Sequence, residues 1–254
     1  MQPDNLFRGT RIKDDKRVIV KAVCARSREL SVIRLLSTAP LCDDPRNHTI
    51  PVFDIVEPPD CDIAFIVMEE WSAQFPSHIC SPTCLLTALR QCIEGVVFMH
   101  EHGIAHLDIS LRNTLTDYDG HYSFIDFELS RCYGMADIGR HRITGCRGTE
   151  VPPELELGGE SDPFKVDVWA LSILISKACQ VRCRLRADSR SHTDAFPQLS
   201  GLEDELTELS SFTWAIRQQH PDARPSAREV LLDFDRMVER IRASGKLVSG
   251  SHCH

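Results

Sequence analysis

Short β-branched runs dominate the start of this chain, and longer stretches of helical periodicity dominate the rest. The run Lys16-Arg17-Val18-Ile19-Val20-Lys21-Ala22-Val23 is broken by a single charge, which predicts a strand with Lys21 turned inward behind a turn at Asp14-Asp15. From Arg28, the spacing of Glu29, Val32-Ile33 and Leu35-Leu36 is helical. Ile50 to Val56 and Ile63 to Met68 read as two further strands around the turn at Pro58-Pro59-Asp60, so a small sheet-plus-helix unit ends near Glu70. Leucines and small residues from Cys84 to Met99 then predict a long amphipathic helix that stops at Gly103. Asn113-Thr114-Leu115-Thr116 and Tyr122-Ser123-Phe124-Ile125 flank Asp117-Tyr118-Asp119-Gly120, the pattern of a hairpin with Asn113 and Asp126 at its outer ends. Cys132 to Thr149, rich in Gly and Arg, has no period and reads as loop. Helical patterns return at 166–180, 202–218 and 226–243, and the polar stretch without period from Arg182 to Ser200, between the first two, reads either as a segment that shapes substrate docking or as an idle loop.

Composition narrows the function classes. With 254 residues and 42% hydrophobic content, the chain can bury one large core or two smaller ones. A formal charge of -8 and a pI near 5.8, with no basic stripe, argue against nucleic acid as a partner. No apolar run reaches eighteen residues and the start, M-Q-P-D-N-L-F-R-G-T, lacks the build of a signal peptide, so no membrane partner and an intracellular location, cytoplasm or nucleus, are expected. The eleven cysteines form no C-x-x-C pair. Cys80 with Cys84 and Cys179 with Cys183 stand at helical spacing and read as small buried hydrophobes, and Ser251-His252-Cys253-His254 as a frayed end.

The chemistry lies in H-L-D-I-S-L-R-N from His106 and F-I-D-F-E from Phe124, which space Asp108, Asn113 and Asp126 for phosphoryl transfer. That reaction asks little covalent chemistry of the protein: one carboxylate orients the nucleophile, and side-chain oxygens hold Mg²⁺ against the triphosphate. Around these strings the chain resembles the protein kinase superfamily over nearly its whole length. Val18-Ile19-Val20-Lys21 is similar to the family's lysine strand, Glu29 to its helix partner and Asn47-His48-Thr49-Ile50 to the segment that follows. Ile66 to Trp71 is similar to the strand entering the hinge. Downstream, Gly148-Thr149 and Pro152-Pro153-Glu154 resemble the end of the activation segment, Asp167-Val168-Trp169 the next helix, and Arg224-Pro225 the arginine that pairs with Glu154.

The resemblance implies an α+β, two-lobed fold with a small β-rich N-lobe and a larger, mainly helical C-lobe. It implies a single domain over 1–254, with N-lobe 1–70, hinge 71–74, C-lobe 75–243 and a flexible tail 244–254. It implies ATP and Mg²⁺ as cofactors, with Lys21, held by Glu29, on the α- and β-phosphates and Met68 as gatekeeper. Adenine would bond the backbone of Glu69 and Trp71. Asp108 would be the catalytic carboxylate, Arg112 the cation beside the γ-phosphate, Asn113 and Asp126 the metal ligands. Glu154 with Arg224 would be structural, His106 a hydrogen-bonded core residue and Asp167 a cap on the catalytic-loop backbone. The expected molecule is a monomer acting on a protein hydroxyl, serine or threonine before tyrosine.

Four departures qualify this. Only Gly9 lies upstream of Lys21, so the first strand and glycine-rich flap read as missing or reduced. Glu29 follows Lys21 by only eight residues, so the helix must start almost directly off the strand. Leu107 replaces the arginine that gathers an activation-segment phosphate, which leaves phosphorylation at Thr144 or Thr149 with little leverage. Glu128 replaces the metal-loop glycine, and Ile125-Asp126-Phe127-Glu128 is similar to small-molecule kinases of choline and aminoglycosides. With Asp44-Pro45-Arg46-Asn47-His48-Thr49-Ile50-Pro51, the same string is similar to the kinase-like proteins of mushroom-forming fungi. A pseudokinase, a binding module in the shape of a kinase, is the rival from a different class.

Overall fold

The computed structural model describes residues 5–73, 81–134, 140–189 and 202–244. It opens with a four-stranded antiparallel sheet in the order β1-β2-β4-β3, in which β1 (Leu6–Thr10) and β2 (Arg17–Cys24) form a hairpin. β2 is central, with Lys21 opposite Leu6 on one side and Ile66 on the other. Only three residues then separate β2 from α1 (Arg28–Leu36), because Ser27 caps the helix by accepting from the Leu30 N–H at 3.2 Å. The close spacing of Lys21 and Glu29 is met in this way. β3 (Val52–Val56) and β4 (Ile63–Glu69) complete the sheet.

After the hinge, α2 (Pro82–Glu101) runs through the core and ends at Gly103, whose φ of 70° suits a residue without Cβ. β5 (Ile104–Ala105) leads into the loop that carries His106 to Asn113, and β6 (Thr114–Thr116) pairs with β7 (Tyr122–Phe124) in the expected hairpin. Ser72 exchanges backbone bonds of 2.9 Å with Thr116, which ties the hinge to that hairpin. β8 (Arg131–Cys132) pairs with β5. β9 (Ile143–Thr144), α3 (Pro153–Glu156) and β10 (Glu160–Ser161) follow, with β9 against β10. The long helices α4 (Pro163–Ser189), α5 (Leu202–Ile216) and α6 (Ala227–Ala243) finish the chain.

One continuous apolar core joins the halves: Leu30, Ile33 and Leu36 of α1 and Ile66 of β4 belong to it with Leu89, Ile93 and Val96 of α2 and Phe234 of α6. Each such side chain contributes about 1.5–3 kcal/mol on burial. A smaller cluster gathers Ala105, Leu107, Ile143, Leu155, Phe164 and Val166 under the segment that follows the catalytic loop.

The structure departs from the sequence reading in three places. Ahead of the lysine strand, where the first strand reads as missing or reduced, β1 pairs with β2; five residues of mixed polarity on a sheet edge show no clean alternation. β8 overlaps the start of the stretch read as loop and β9 lies inside it, since two-residue pairings carry no period. The helix predicted over 166–180 runs from Pro163 to Ser189, so the first part of the polar stretch from Arg182 is helical, while 190–200 lies outside the described residues. Residue 74, Cys80, the side chain of Cys183 and residues 245–254 also lie outside them. Among the described residues, no helix is long and apolar enough to cross a membrane.

Candidate active site

Lys21 points into the cleft between the two halves, where its Nζ lies 2.7 Å from Glu29 Oε1 and 3.0 Å from Asp126 Oδ1. Burial works against its charge, yet the two carboxylates outweigh that effect and leave its pKa raised. Glu29 is the more deeply buried carboxylate. Burial raises its pKa, Lys21 offsets this only in part, and Asp126 and Glu128 push it further up. One cation thus serves two acids, one from α1 and one from the end of the β6–β7 hairpin.

The catalytic loop is fixed from beneath. Asp167 of α4 is fully buried; its Oδ2 accepts from the His106 N–H at 2.8 Å and its Oδ1 from the Leu107 N–H at 2.8 Å. His100 Nε2 lies 3.0 Å from the same Oδ2. These bonds hold Leu107 at a φ of 63°, a conformation costly for a branched side chain and found where surroundings over-determine the backbone. His106 is fully buried: its Nδ1 accepts from the Asp108 N–H, so Nε2–H donates to the Ile125 carbonyl at 3.2 Å. Burial lowers its pKa, which fits the neutral ring those bonds require.

Asp108 emerges half-buried above this frame. Its Oδ2 accepts from Asn113 Nδ2 at 2.8 Å and its Oδ1 from the Thr149 N–H at 2.6 Å. Asn113 also donates to the Asp108 carbonyl at 2.9 Å, so both of its bonds use the amide nitrogen and its oxygen is the atom left to act as a ligand. The Ile125 N–H donates to the Asn113 carbonyl at 3.0 Å, which brings the outer ends of the hairpin together beside Asp126, itself at a φ of 65°. Asn113 and Asp126 supply an amide and a carboxylate oxygen, donors suited to a hard cation such as Mg²⁺.

The end of the loop segment is locked to the same frame. A Cβ on Gly148 would meet the Leu107 carbonyl oxygen at 2.3 Å, so only glycine allows this approach. Arg112 does not point into the cleft alone: its Nη2 donates to Thr149 Oγ1 at 2.9 Å. Glu154 and Arg224 meet in a bidentate pair, 2.7 Å on each arm. Arg224 is 1% exposed, donates also to the Gln218 carbonyl, and stacks over Trp169. Burial acts to raise the Glu154 pKa, but the bonds from Arg224 and Ser161 prevail and hold it below the usual range.

A cavity of about 390 Å³ opens between the halves, and Lys21, Glu29, Met68, Glu69, Trp71 and Asp126 all line it. Ile19 and Leu115, which the motifs do not single out, line it from the two lobes. So do Leu6 and Arg8, whose strand was not predicted. Thr149, a landmark in sequence, turns out to touch both Asp108 and Arg112; no local signal marks that contact, because it joins residues far apart in the chain. Gly9 sits in β1 opposite Val18 and is a sheet residue, not part of a phosphate-cradling turn. Glu128 is exposed and has no positive φ, so that position bears a side chain without strain.

Residues 47–233, well over half of the chain, match the family model described as the protein kinase domain. The chain belongs to the protein kinase family. This kinase domain is 38% identical over 88 residues to the serine/threonine-protein kinase HAL4/SAT4 of Saccharomyces cerevisiae, which covers 34% of the chain and 15% of that relative. It is 33% identical over 156 residues to the serine/threonine-protein kinase hal4 of Schizosaccharomyces pombe, 56% of the chain and 24% of the relative. Similarity extends to the hormonally up-regulated neu tumor-associated kinase of Mus musculus, 34% identical over 86 residues, with 34% of the chain and 12% of the relative covered. The matched part is thus a small fraction of each relative's length. The family match begins after Lys21 and Glu29, so the kinase domain's lysine–glutamate pair stands on its geometry.

Proposed function

We propose that this kinase domain transfers the γ-phosphate of Mg-ATP to a serine or threonine hydroxyl of a protein. The observation that carries the reading is the arrangement of Lys21 between Glu29 and Asp126 across the cleft, with Asp108 and Asn113 hydrogen-bonded beside it. The apolar walls from Ile19, Met68 and Leu115 suit a planar base, with the backbone of Glu69 and Trp71 at the hinge to bond its edge. Lys21 would hold the α- and β-phosphates, its raised pKa keeping it charged at neutral pH. Asn113 and Asp126 would hold Mg²⁺, which on binding neutralises charge on the phosphate oxygens. Asp108 would orient the acceptor hydroxyl and take its proton. Arg112, anchored on Thr149, would steady the developing charge. The serine/threonine preference draws on the names of the relatives and on Gly148-Thr149.

The domain division is proposed with it: N-lobe 1–70, hinge 71–74, C-lobe 75–243 and tail 244–254, acting as a monomer inside the cell. A pseudokinase reading has one observation in its favour. Among the described residues no glycine loop lies over the phosphate side of the cleft, and Gly9 is held in a paired strand.

Thermal unfolding with ATP, with and without Mg²⁺, and γ-phosphate transfer to a mixed protein substrate separate the two readings. A metal-dependent rise in melting temperature with transfer that Asp108→Asn abolishes is expected. No shift at millimolar nucleotide would leave the pseudokinase reading.

A further inference from the structure

Among the described residues most arginines are matched to carboxylates, as Arg8 and Arg17 are to Glu70, Arg46 to Asp44 and Glu101, Arg90 to Glu94 and Asp235, and Arg224 to Glu154. Arg112 in the loop after Asp108, and Arg140 and Arg147 in the segment that returns to it, are among those left unmatched. Arg112, Arg140 and Arg147 are exposed, and among the described residues none of them has a carboxylate within ion-pair distance. From 140 to 149 the sequence R-H-R-I-T-G-C-R-G-T holds three arginines and no acid, in a chain of net charge -8. The next acid, Glu150, is taken by Lys177 at 2.5 Å. The positions are set by the site itself. Gly148 packs on Leu107 and Asp108, the Thr149 N–H bonds the Asp108 carboxylate and Arg112 holds Thr149, so Arg112 and the backbone that carries Arg147 lie beside that carboxylate.

Unpaired guanidinium groups are forks for anionic oxygens, and a positive face on a negative molecule selects partners by charge. We infer that this face takes protein segments bearing anionic side chains next to the acceptor hydroxyl, with Arg147 and Arg140 meeting the flanking anions. The shared chemistry is a carboxylate or a phosphoserine. The assignment rests on the proposed kinase function for its meaning as substrate choice, but its binding test does not.

The test measures binding of fluorescent serine peptides to the whole chain by anisotropy, with flanks of glutamate, of phosphoserine or of lysine, at low and raised salt. Either anionic peptide should bind about tenfold or more tightly than the lysine one, and the advantage should shrink with salt. The anionic arm that binds names the source. Arg140→Glu/Arg147→Glu should remove about tenfold of that affinity with unchanged thermal unfolding, and the glutamine pair should fall between. Equal binding of acidic and basic peptides, no binding of any, or a preference that survives the charge reversal each overturns the inference. Phosphate transfer to the bound peptide is read separately: an acidic peptide that binds without being phosphorylated overturns the kinase reading and leaves this one standing.

Discussion

The frame beneath the catalytic loop and the cleft above it are built from the same residue types under opposite rules. In the frame, Asp167, Arg224 and His106 are fully or almost fully buried and heavily hydrogen-bonded, and each ion pair has its partner at 2.7 to 3.0 Å. In the cleft, Lys21 is shared by two acids, Asp126 is partly exposed, and Asn113 keeps its amide oxygen for a ligand. The difference sets rigidity against the proposed reactivity: groups that set backbone geometry are saturated, and groups that the proposed function turns toward substrate keep capacity in reserve. Removing a frame residue should therefore cost stability first, and removing a cleft residue should cost activity first.

The largest effect expected is on the cleft side. Asp108→Asn keeps an acceptor for the Thr149 N–H but removes the carboxylate proposed to take the proton. Phosphate transfer should fall by about a thousandfold or more, on the order of 4 kcal/mol of barrier, while unfolding by denaturant moves by less than about 1 kcal/mol. A stability loss as large as the activity loss would erase the division.

Next comes the frame. Arg224→Ala leaves the Glu154 carboxylate without its bidentate partner and opens space beside Trp169. A loss of about 3–5 kcal/mol in unfolding free energy is expected, since breaking a buried pair strands a charge. Denaturation midpoints within error of the parent protein would mean that Glu154 finds water instead.

Gly148→Ala probes the seam between the two regions. Its Cβ would collide with the Leu107 carbonyl, so Leu107 and the Thr149 N–H cannot both keep their places. Stability should drop by about 1–3 kcal/mol, and phosphate transfer should drop more than that change alone predicts. Loss of the same size in both would place Gly148 in the frame only.

How far the sequence foretold these regions follows the same division. Asp167, Glu154 and Arg224 were legible because they belong to short strings with fixed order, and the structure brings together the pair and the cap those strings imply. The Lys21–Glu29 pair was legible in spite of its short spacing, since Ser27 can cap a helix three residues past a strand. The contacts of Thr149 were not legible, because Arg112 and Asp108 reach it across 37 and 41 residues. Nor was β1: an edge strand of five residues owes its conformation to pairing with β2 more than to its own pattern.

The smallest effect sharpens the contrast most, because it sets one glutamate against another. Glu154 has a lowered pKa in the folded state, so its pairing stabilises the fold above the ordinary glutamate value, and that stability is lost as pH falls through the lowered one. Glu29 has a raised pKa. Its charged form is disfavoured by burial, so folding gains relative stability as pH falls from the raised value toward the ordinary one. Unfolding free energy measured against pH should therefore lose part of its acid-side decline in Glu154→Gln. In Glu29→Gln, the same curve should fall more steeply through the window just above the ordinary glutamate value, because the compensating proton uptake is gone. Parallel curves for the two variants would show that both glutamates obey one rule, and the division between frame and cleft would then rest on exposure alone.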